Sequence, residues 1–250
     1  MDKNTKLIHL ALDAGEVMIR SGAETYRVQD TMLRILSVSG QEKADAHALV
    51  TLLVVTLPQE NGRPLAMMRS IHSRSTNLQK VCEVNALSRA FVSGEISLDE
   101  AVESLEQIRS ERSYLPPTRI IGYGMICSCF SFLRCHCLSI SIASFFTGML
   151  VGILMLRLSS KKMPYFLPAF LCGCFIALLA GVLQPMLPAD SMDDIVIGGI
   201  IPLLPGVTFS KSMRDLMEGN IISGYTKAVE ALVIAASLAG GVGLVLAYFV

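Results

Sequence analysis

Residues 165–187 read YFLPAFLCGCFIALLAGVLQPML, and the uncharged run around them extends from 163 to 189. A helix needs about 20 apolar residues to cross a bilayer, so this stretch is expected to be a transmembrane span. Working outward, residues 231–250 are also uncharged and supply a second span. Residues 120–156 are too long for one helix, because at about 1.5 Å per residue they would reach about 55 Å. Arg134 and His136 interrupt that run and divide it into spans at about 119–135 and 138–156. The remaining apolar segment, DIVIGGIIPLLPGVTF (194–209), is the shortest and contains Pro202 and Pro205. A proline inside a helix removes a backbone hydrogen bond and clashes with the preceding turn, at a cost of about 3 kcal/mol. Five spans are expected in all, at about 119–135, 138–156, 165–187, 194–210 and 229–250.

The loops set an orientation. Arg157, Lys161 and Lys162 separate spans two and three, and Lys211, Arg214 and Lys227 separate spans four and five. Asp190, Asp193 and Asp194 lie between three and four. Basic loops stay in the cytoplasm, which puts the N-terminal part inside and the C-terminus outside. Arg134, in the first outer turn, is the one charge that runs against this arrangement.

Composition agrees with two halves of different physics. The 250 residues are 52% hydrophobic and 17% charged, against about 25% charged in ordinary soluble domains. Of 42 charged residues only 13 fall in 120–250. The balance of 21 basic and 21 acidic side chains gives no reason to expect a nucleic-acid partner. The N-terminus MDKNTKLIHL has no apolar run and no small-residue cleavage site, so no signal peptide is expected. Six of the seven cysteines form C-x-C pairs in the apolar half. On a helix such pairs point apart and act as small packing residues. Cys135-His136-Cys137 would be metal-competent only in a turn. No metal or cofactor is expected.

Residues 5–21 place Leu7, Leu10, Ala11, Ala14, Val17 and Met18 at helical spacing, with Gly22 as a stop. A second helix carries Val28, Met32, Ile35 and Leu36 and ends at Gly40. ALVTLLVVTL (48–57) is rich in β-branched residues and reads as one strand. Asn61-Gly62 signals a hairpin into LAMMRSIH (65–72). A third helix covers about 77–93, and a fourth starts at the capping box of Ser97 and Glu100, before Pro116-Pro117 breaks the chain. The expected fold is mainly α: a polytopic membrane protein with five transmembrane helices (116–250) preceded by a small cytoplasmic α+β domain, ααββαα, in 1–115. The domain shows no nucleophile with a base, no metal cluster and no phosphate loop. Asp13, Glu16, Glu24 and Asp30 read as a solvated face. Arg69, His72 and Arg74 read either as a solvated loop or as a contact for an anion or lipid headgroup.

Three stretches together resemble the threonine/serine exporter family (ThrE), and its split-subunit, YjjP-like branch in particular. They are SGAETYRVQDTMLRI (21–35), RSTNLQKVCEVNALSRAFVSGEISLDEAVESL (74–105) and IPLLPGVTFSKSMRDLMEGNIISGYTKAVEALVIAASLAGG (201–241). The first is similar to the family's Gly-Ala-Glu-[Ser/Thr] element. The third is similar to its Pro-Gly, Arg-Asp and Gly-x-x-x-x-Gly series. The resemblance implies export of threonine and serine, or of succinate for split pairs, and an obligate second small multi-span membrane subunit. Membrane lipid and a small carboxylate substrate are the other implied partners, and a higher oligomer is compatible with it. It carries over to Glu24, Thr25, Val28, Arg74 and Asn77, and to Pro205, Gly206, Arg214, Asp215, Gly219 and Gly224. One departure is LRCHCLSI (133–140), where split relatives tend to have Gly-Gly-x-x-Asp.

The leading expectation is one subunit of a secondary exporter, driven by an ion gradient. Pro202, Pro205 and Gly206 are expected to break span four near the substrate, with Thr208 and Ser210 offering hydroxyls beside exposed amides. The rival is a packing kink. Glu230 and His136 are the candidate proton carriers within the spans. Glu24 reads equally as an acid at a helix N-terminus, and Arg214 and Asp215 equally as interfacial charges. A membrane-anchored enzyme and a non-transporting scaffold or sensor are the alternatives. The first lacks a nucleophile with a partner, and the second needs only one anchor.

Overall fold

The computed structural model describes residues 3–249 except 42, 59–63, 72–75, 112–114, 160, 162, 189 and 190. The chain divides into two compact units. The first comprises residues 1–113 and 210–227, the second 114–209 and 228–250. The division near 115 is where Pro116-Pro117 stands, but the first unit also takes in 210–227, a segment expected with the membrane helices.

In the first unit, α1 (Lys3–Arg20) and α2 (Thr25–Ser37) share one core. The apolar stripe of α1 buries Leu7, Leu10, Ala11, Ala14, Val17 and Met18, and that of α2 buries Val28, Met32, Ile35 and Leu36. Gly15 permits their approach, because a Cβ there would lie 2.6 Å from Met32 Sδ. Gly22, at φ 85°, supplies the left-handed turn that ends α1.

Three antiparallel strands follow in the order β1 (Asp45–Ala48), β2 (Leu52–Leu57), β3 (Leu65–Ser70). Leu53, Val55 and Leu57 alternate inward from β2 and join the core of α1 and α2. The single strand expected over 48–57 is therefore two. Leu49 and Leu52 exchange backbone hydrogen bonds of 2.8 and 3.4 Å around Val50-Thr51, and the described residues up to 111 run ααβββαα. The Asn61-Gly62 turn lies outside the described residues, though Leu57 pairs with Leu65 across it.

Next come α3 (Leu78–Val92) and α4 (Leu98–Ser110). Ser97 Oγ accepts from Glu100 N at 3.3 Å and Glu100 Oε2 accepts from Ser97 N at 2.7 Å, which is the capping box. Arg69 on β3 is held by Asp13 and by Glu16 at 2.9 Å, so it is a structural tie to α1 and not a free anion contact. Burial alone would lower its pKa, but these two carboxylates outweigh it and the guanidinium is raised. His72 and Arg74 lie outside the described residues.

The second unit is a helical bundle of α5 (Pro116–Cys135), α6 (Leu138–Ser159), α7 (Leu167–Leu183), α8 (Ser191–Ile200), the start of α9 (Gly206–Met217) and most of α10 (Ile221–Phe249). Close backbone approach at small residues organises it, as expected where lipid removes the hydrophobic drive between helices. A Cβ at Gly148 would lie 2.8 Å from Tyr123 O, at Gly198 2.9 Å from Cys127 O, and at Gly241 2.2 Å from Phe170 O. By length and apolarity, three described helices are able to cross a membrane: α6, α7 with the 3-10 turn that extends it to Met186, and α10. The bent pair Met192–Leu203 and Gly206–Met217 makes a fourth when counted as one span. α5 is not among them. Span four, expected as 194–210, is in two pieces meeting at 48°. α10 begins at Ile221, ahead of the expected 229.

Candidate functional site

The N-terminus of α2 has no side-chain cap of its own: Glu24 occupies the capping position in an extended conformation and makes no such bond. The cap comes from residue 215, on α9. Asp215 Oδ1 accepts from Thr25 N at 3.2 Å, and Oδ2 accepts from Thr25 Oγ1 at 3.0 Å. Lys227 Nζ, on α10, donates to the same Oδ2 at 2.5 Å and to Thr25 Oγ1 at 3.2 Å. Thr25 and Asp215 are 0% exposed and Lys227 7%. Around this core Arg214 Nη1 pairs with Glu24 Oε1 at 3.0 Å, and Lys211 Nζ donates to Gly22 O.

The local sequence explains how the groups arrive. Gly219, at φ 82°, ends α9, and Asn220 N returns to Asp215 O at 2.8 Å, which is the left-handed helix stop that glycine permits. Gly224 lets α10 start against α9, since a Cβ there would lie 2.6 Å from Leu216 Cγ. Lys227 thereby reaches Asp215. A carboxylate with two donors from Thr25 and a third from the Lys227 ammonium is a satisfied buried ion pair, and such a pair is stable only with these added hydrogen bonds. A negative group at a helix N-terminus is also favoured by the helix dipole.

Of the residues singled out from sequence, Glu24, Thr25, Arg214 and Asp215 are brought together, and Val28 lies fully buried in the core behind them. Asn77 is elsewhere: it caps α3, accepting from Lys80 N at 3.3 Å. Arg74 lies outside the described residues. Pro202 sits in a 3-10 turn (Ile201–Leu203), and Pro205 O accepts from Phe209 N at 2.9 Å as α9 begins. The amides of Gly206, Val207 and Thr208 are the first-turn donors of that helix. A Cβ at Gly206 would meet nothing within 4 Å. Thr208 is half-buried and Ser210 exposed on α9, and Glu230 is half-buried on α10.

Two features were not legible beforehand. Lys227 read as one of several basic loop residues, but it is the buried partner of Asp215. In the second unit, Ser131 Oγ donates to Asp194 O at 2.9 Å and lies 2.7 Å from Ser144 Oγ, while Arg134 Nε pairs with Asp194 Oδ1 at 2.6 Å. Arg134, the charge at odds with the loop pattern, is thus neutralised by Asp194 at the start of α8. Cys135-His136-Cys137 does form a turn, with His136 at φ 51°. Cys135 Sγ is directed to Ser131 O at 3.0 Å and Cys137 Sγ to Ser139 Oγ at 3.1 Å. Among the described residues no three His, Cys, Asp or Glu side chains converge for a metal.

Apolar helices packed through glycine contacts, a proline-broken helix and a motif-built ion pair define a multi-pass membrane protein. The profile of ThrE, described as "Putative threonine/serine exporter", matches residues 9–249, and the chain belongs to this family. A "Probable threonine/serine exporter" of Mycobacterium tuberculosis is 26% identical over 251 residues, 95% of this chain and 45% of the relative. The "Threonine/serine exporter" of Corynebacterium glutamicum is 23% identical over 248 residues, 95% of this chain and 50% of the relative. "Pheromone-regulated membrane protein 10" of Saccharomyces cerevisiae is 23% identical over 91% of this chain and 30% of the relative. The chain spans about half the length of the two exporters it matches. No solved structure matches.

Proposed function

We propose that this chain is a transporting subunit, not an enzyme, of a secondary exporter of small carboxylate metabolites, threonine, serine or succinate, in the bacterial inner membrane. The observation that carries this reading is family membership over residues 9–249. The proposal includes five spans, with α5 and the bent α8–α9 pair added to the three long apolar helices. It puts the N-terminal domain in the cytoplasm and the C-terminus outside. Pairing of Arg134 with Asp194 supports that orientation, because it removes the one charge in conflict with it. A second small multi-span subunit follows from the resemblance to the split branch.

The broken helix is the proposed substrate element. Irregular backbone at membrane depth is tolerated where it lines a cavity or meets polar groups. Discontinuous helices in transporters aim their amide ends at anionic groups. Here the amides of Gly206, Val207 and Thr208 and the Thr208 hydroxyl would meet the substrate carboxylate. The test is efflux of labelled threonine, serine and succinate from cells expressing this chain, its proposed partner, or both. Efflux above background only with both supports the reading. Full efflux from this chain alone removes the partner, and no efflux of any of the three with both present removes the function.

A further inference from the structure

The second unit holds three C-x-C pairs, and two of them lie wholly within helices: Cys127 and Cys129 on α5, Cys172 and Cys174 on α7. In each of these one thiol is buried and the other is not, as expected for residues about 200° apart around a helix. Cys135 and Cys137 differ, and neither has a part in the export reading. α5 ends at Cys135 and α6 begins at Leu138, so this pair straddles the turn between them. Both thiols are half-buried, and both pack against the same apolar cluster of Ile140, Val151, Ile176 and Ile195. His136 between them is at φ 51° and ψ 25°. A helical conformation of either hand keeps the neighbours of a residue about 5.5 Å apart, inside the range of about 4.4–6.8 Å over which a disulfide closes. Cys135 Sγ already lies 3.9 Å from Cys137 O.

The two thiols also differ from each other in the way an exchange reaction needs. Cys137 immediately precedes α6, and Ser139 Oγ lies 3.1 Å from its Sγ. Hydrogen bonding by that hydroxyl, and by the amides of Ile140 and Ser139, holds the Cys137 thiol below its ordinary pKa, against the nearby carboxylate of Asp194. A thiolate at a helix N-terminus is the attacking form in thiol–disulfide exchange. Cys135 Sγ donates to Ser131 O at 3.0 Å and is held as a thiol, with only His136 between it and Cys137. An accessible cysteine of low pKa beside a second, resolving one is the arrangement of redox-sensitive pairs.

We propose that Cys135 and Cys137 form a reversible dithiol–disulfide pair, oxidised by small disulfides such as glutathione disulfide. The Cys137 thiolate attacks one sulfur of the oxidant, forming a mixed disulfide and expelling the first thiolate. Cys135 gives up its proton and attacks the Cys137 sulfur, which breaks the mixed disulfide and expels the second. Two protein thiols thereby lose two protons and two electrons, and the oxidant takes up both and leaves as two thiols. A disulfide closed across one residue makes a small, strained ring, so this bond is of the easily reduced kind and not a permanent staple. In the proposed orientation the turn faces the outside, where disulfides form and persist. The exchange itself belongs to the purified chain and needs no partner subunit, substrate or gradient, so it stands or falls independently of the export reading.

The experiment is redox titration of the purified full-length chain with mixtures of reduced and oxidised glutathione, followed by acid quench, alkylation of the remaining thiols and peptide mass spectrometry. Cys135 and Cys137 are expected to leave the free-thiol pool together as one intramolecular disulfide, while Cys127, Cys129, Cys172 and Cys174 stay free at the same ratio. Excess dithiothreitol should restore both thiols. Cys135→Ser should accumulate glutathione on Cys137 as a mixed disulfide, and Cys137→Ser should react at Cys135 more slowly by roughly threefold or more. Both variants are first checked for the wild-type unfolding temperature, and the wild-type titration decides the pairing without them. Separate glutathione adducts on the two cysteines of wild type, with no bond between them, overturn the proposal. So does a pair still reduced in the most oxidising mixture, or a disulfide within either helical pair at the same ratio, since the turn would then confer nothing. Equal rates in the two variants overturn the assignment of Cys137 as the attacking thiol.

Discussion

The buried pair of Asp215 and Lys227 predicts a specific pattern of stability in a mutant cycle. Lys227→Met keeps the length of the side chain but leaves a carboxylate that is 0% exposed with only the two Thr25 donors. Asp215→Asn leaves the ammonium, its side chain 9% exposed, without its counter-ion. Breaking a buried pair from one side costs about 3–5 kcal/mol, because an uncompensated charge remains in a low-dielectric site. For a chain of this size about 1 kcal/mol corresponds to about 2–4 °C, so each single variant should unfold about 6–20 °C lower. The double variant Asp215→Asn/Lys227→Met has no buried charge. Its Asn Oδ1 still accepts from Thr25 N, so its loss should be about 2 kcal/mol or less, well below either single. Thermal unfolding of the purified full-length chain, followed by circular dichroism, measures all four corners of the cycle. A double variant that loses the sum of the two singles would mean that the side chains do not interact. That result would refute the buried ion pair of Asp215 and Lys227.

Four further outcomes follow from local geometry. Ser97→Ala removes one half of the capping box and should cost about 1 kcal/mol in the same unfolding assay. The hydrogen bonds of Ser97 hold the Glu100 carboxyl below its ordinary value. A folded-state pKa below the unfolded one means that this contribution is present above the ordinary carboxylate range and is lost as pH falls through the depressed value. Glu100→Gln should flatten that part of the stability profile in acid titration. Adjacent glycines on α10 should behave oppositely: a Cβ at Gly241 would lie 2.2 Å from Phe170 O, while one at Gly240 meets nothing within 4 Å. Gly241→Ala should therefore reduce the yield of monodisperse protein in detergent while Gly240→Ala leaves it unchanged, and equal yields would contradict the α7–α10 contact. Gly206→Leu enters open space and should leave the protein in the membrane but abolish export, with Pro205→Ala reducing it. Wild-type efflux from both would move the substrate element away from the helix break.

What the sequence determined by itself is what depends on neighbours a few residues apart. Apolar runs set the membrane helices α6, α7 and α10, and the 3.6-residue stripes set α1 and α2. Ser97 and Glu100 sit three residues apart and announced their own cap, and Pro202 and Pro205 announced the break between α8 and α9, because a missing amide acts on its own turn. The turn at Val50-Thr51 was hidden for the converse reason. Its residues are strand formers with no glycine or asparagine to mark a reversal, and only pairing of Asp45 with Thr56 and of Ala48 with Leu53 makes the hairpin. The site was legible in pieces. Glu24-Thr25 and Arg214-Asp215 were each recognisable as motifs, but nothing within either indicated that the second caps the helix begun by the first. Lys227 had no local signal at all. An ion pair buried across 12 residues, and a cap delivered across 190, exist only because packing brings the groups together. Their energy comes from exclusion of water, which a linear reading of charge does not contain.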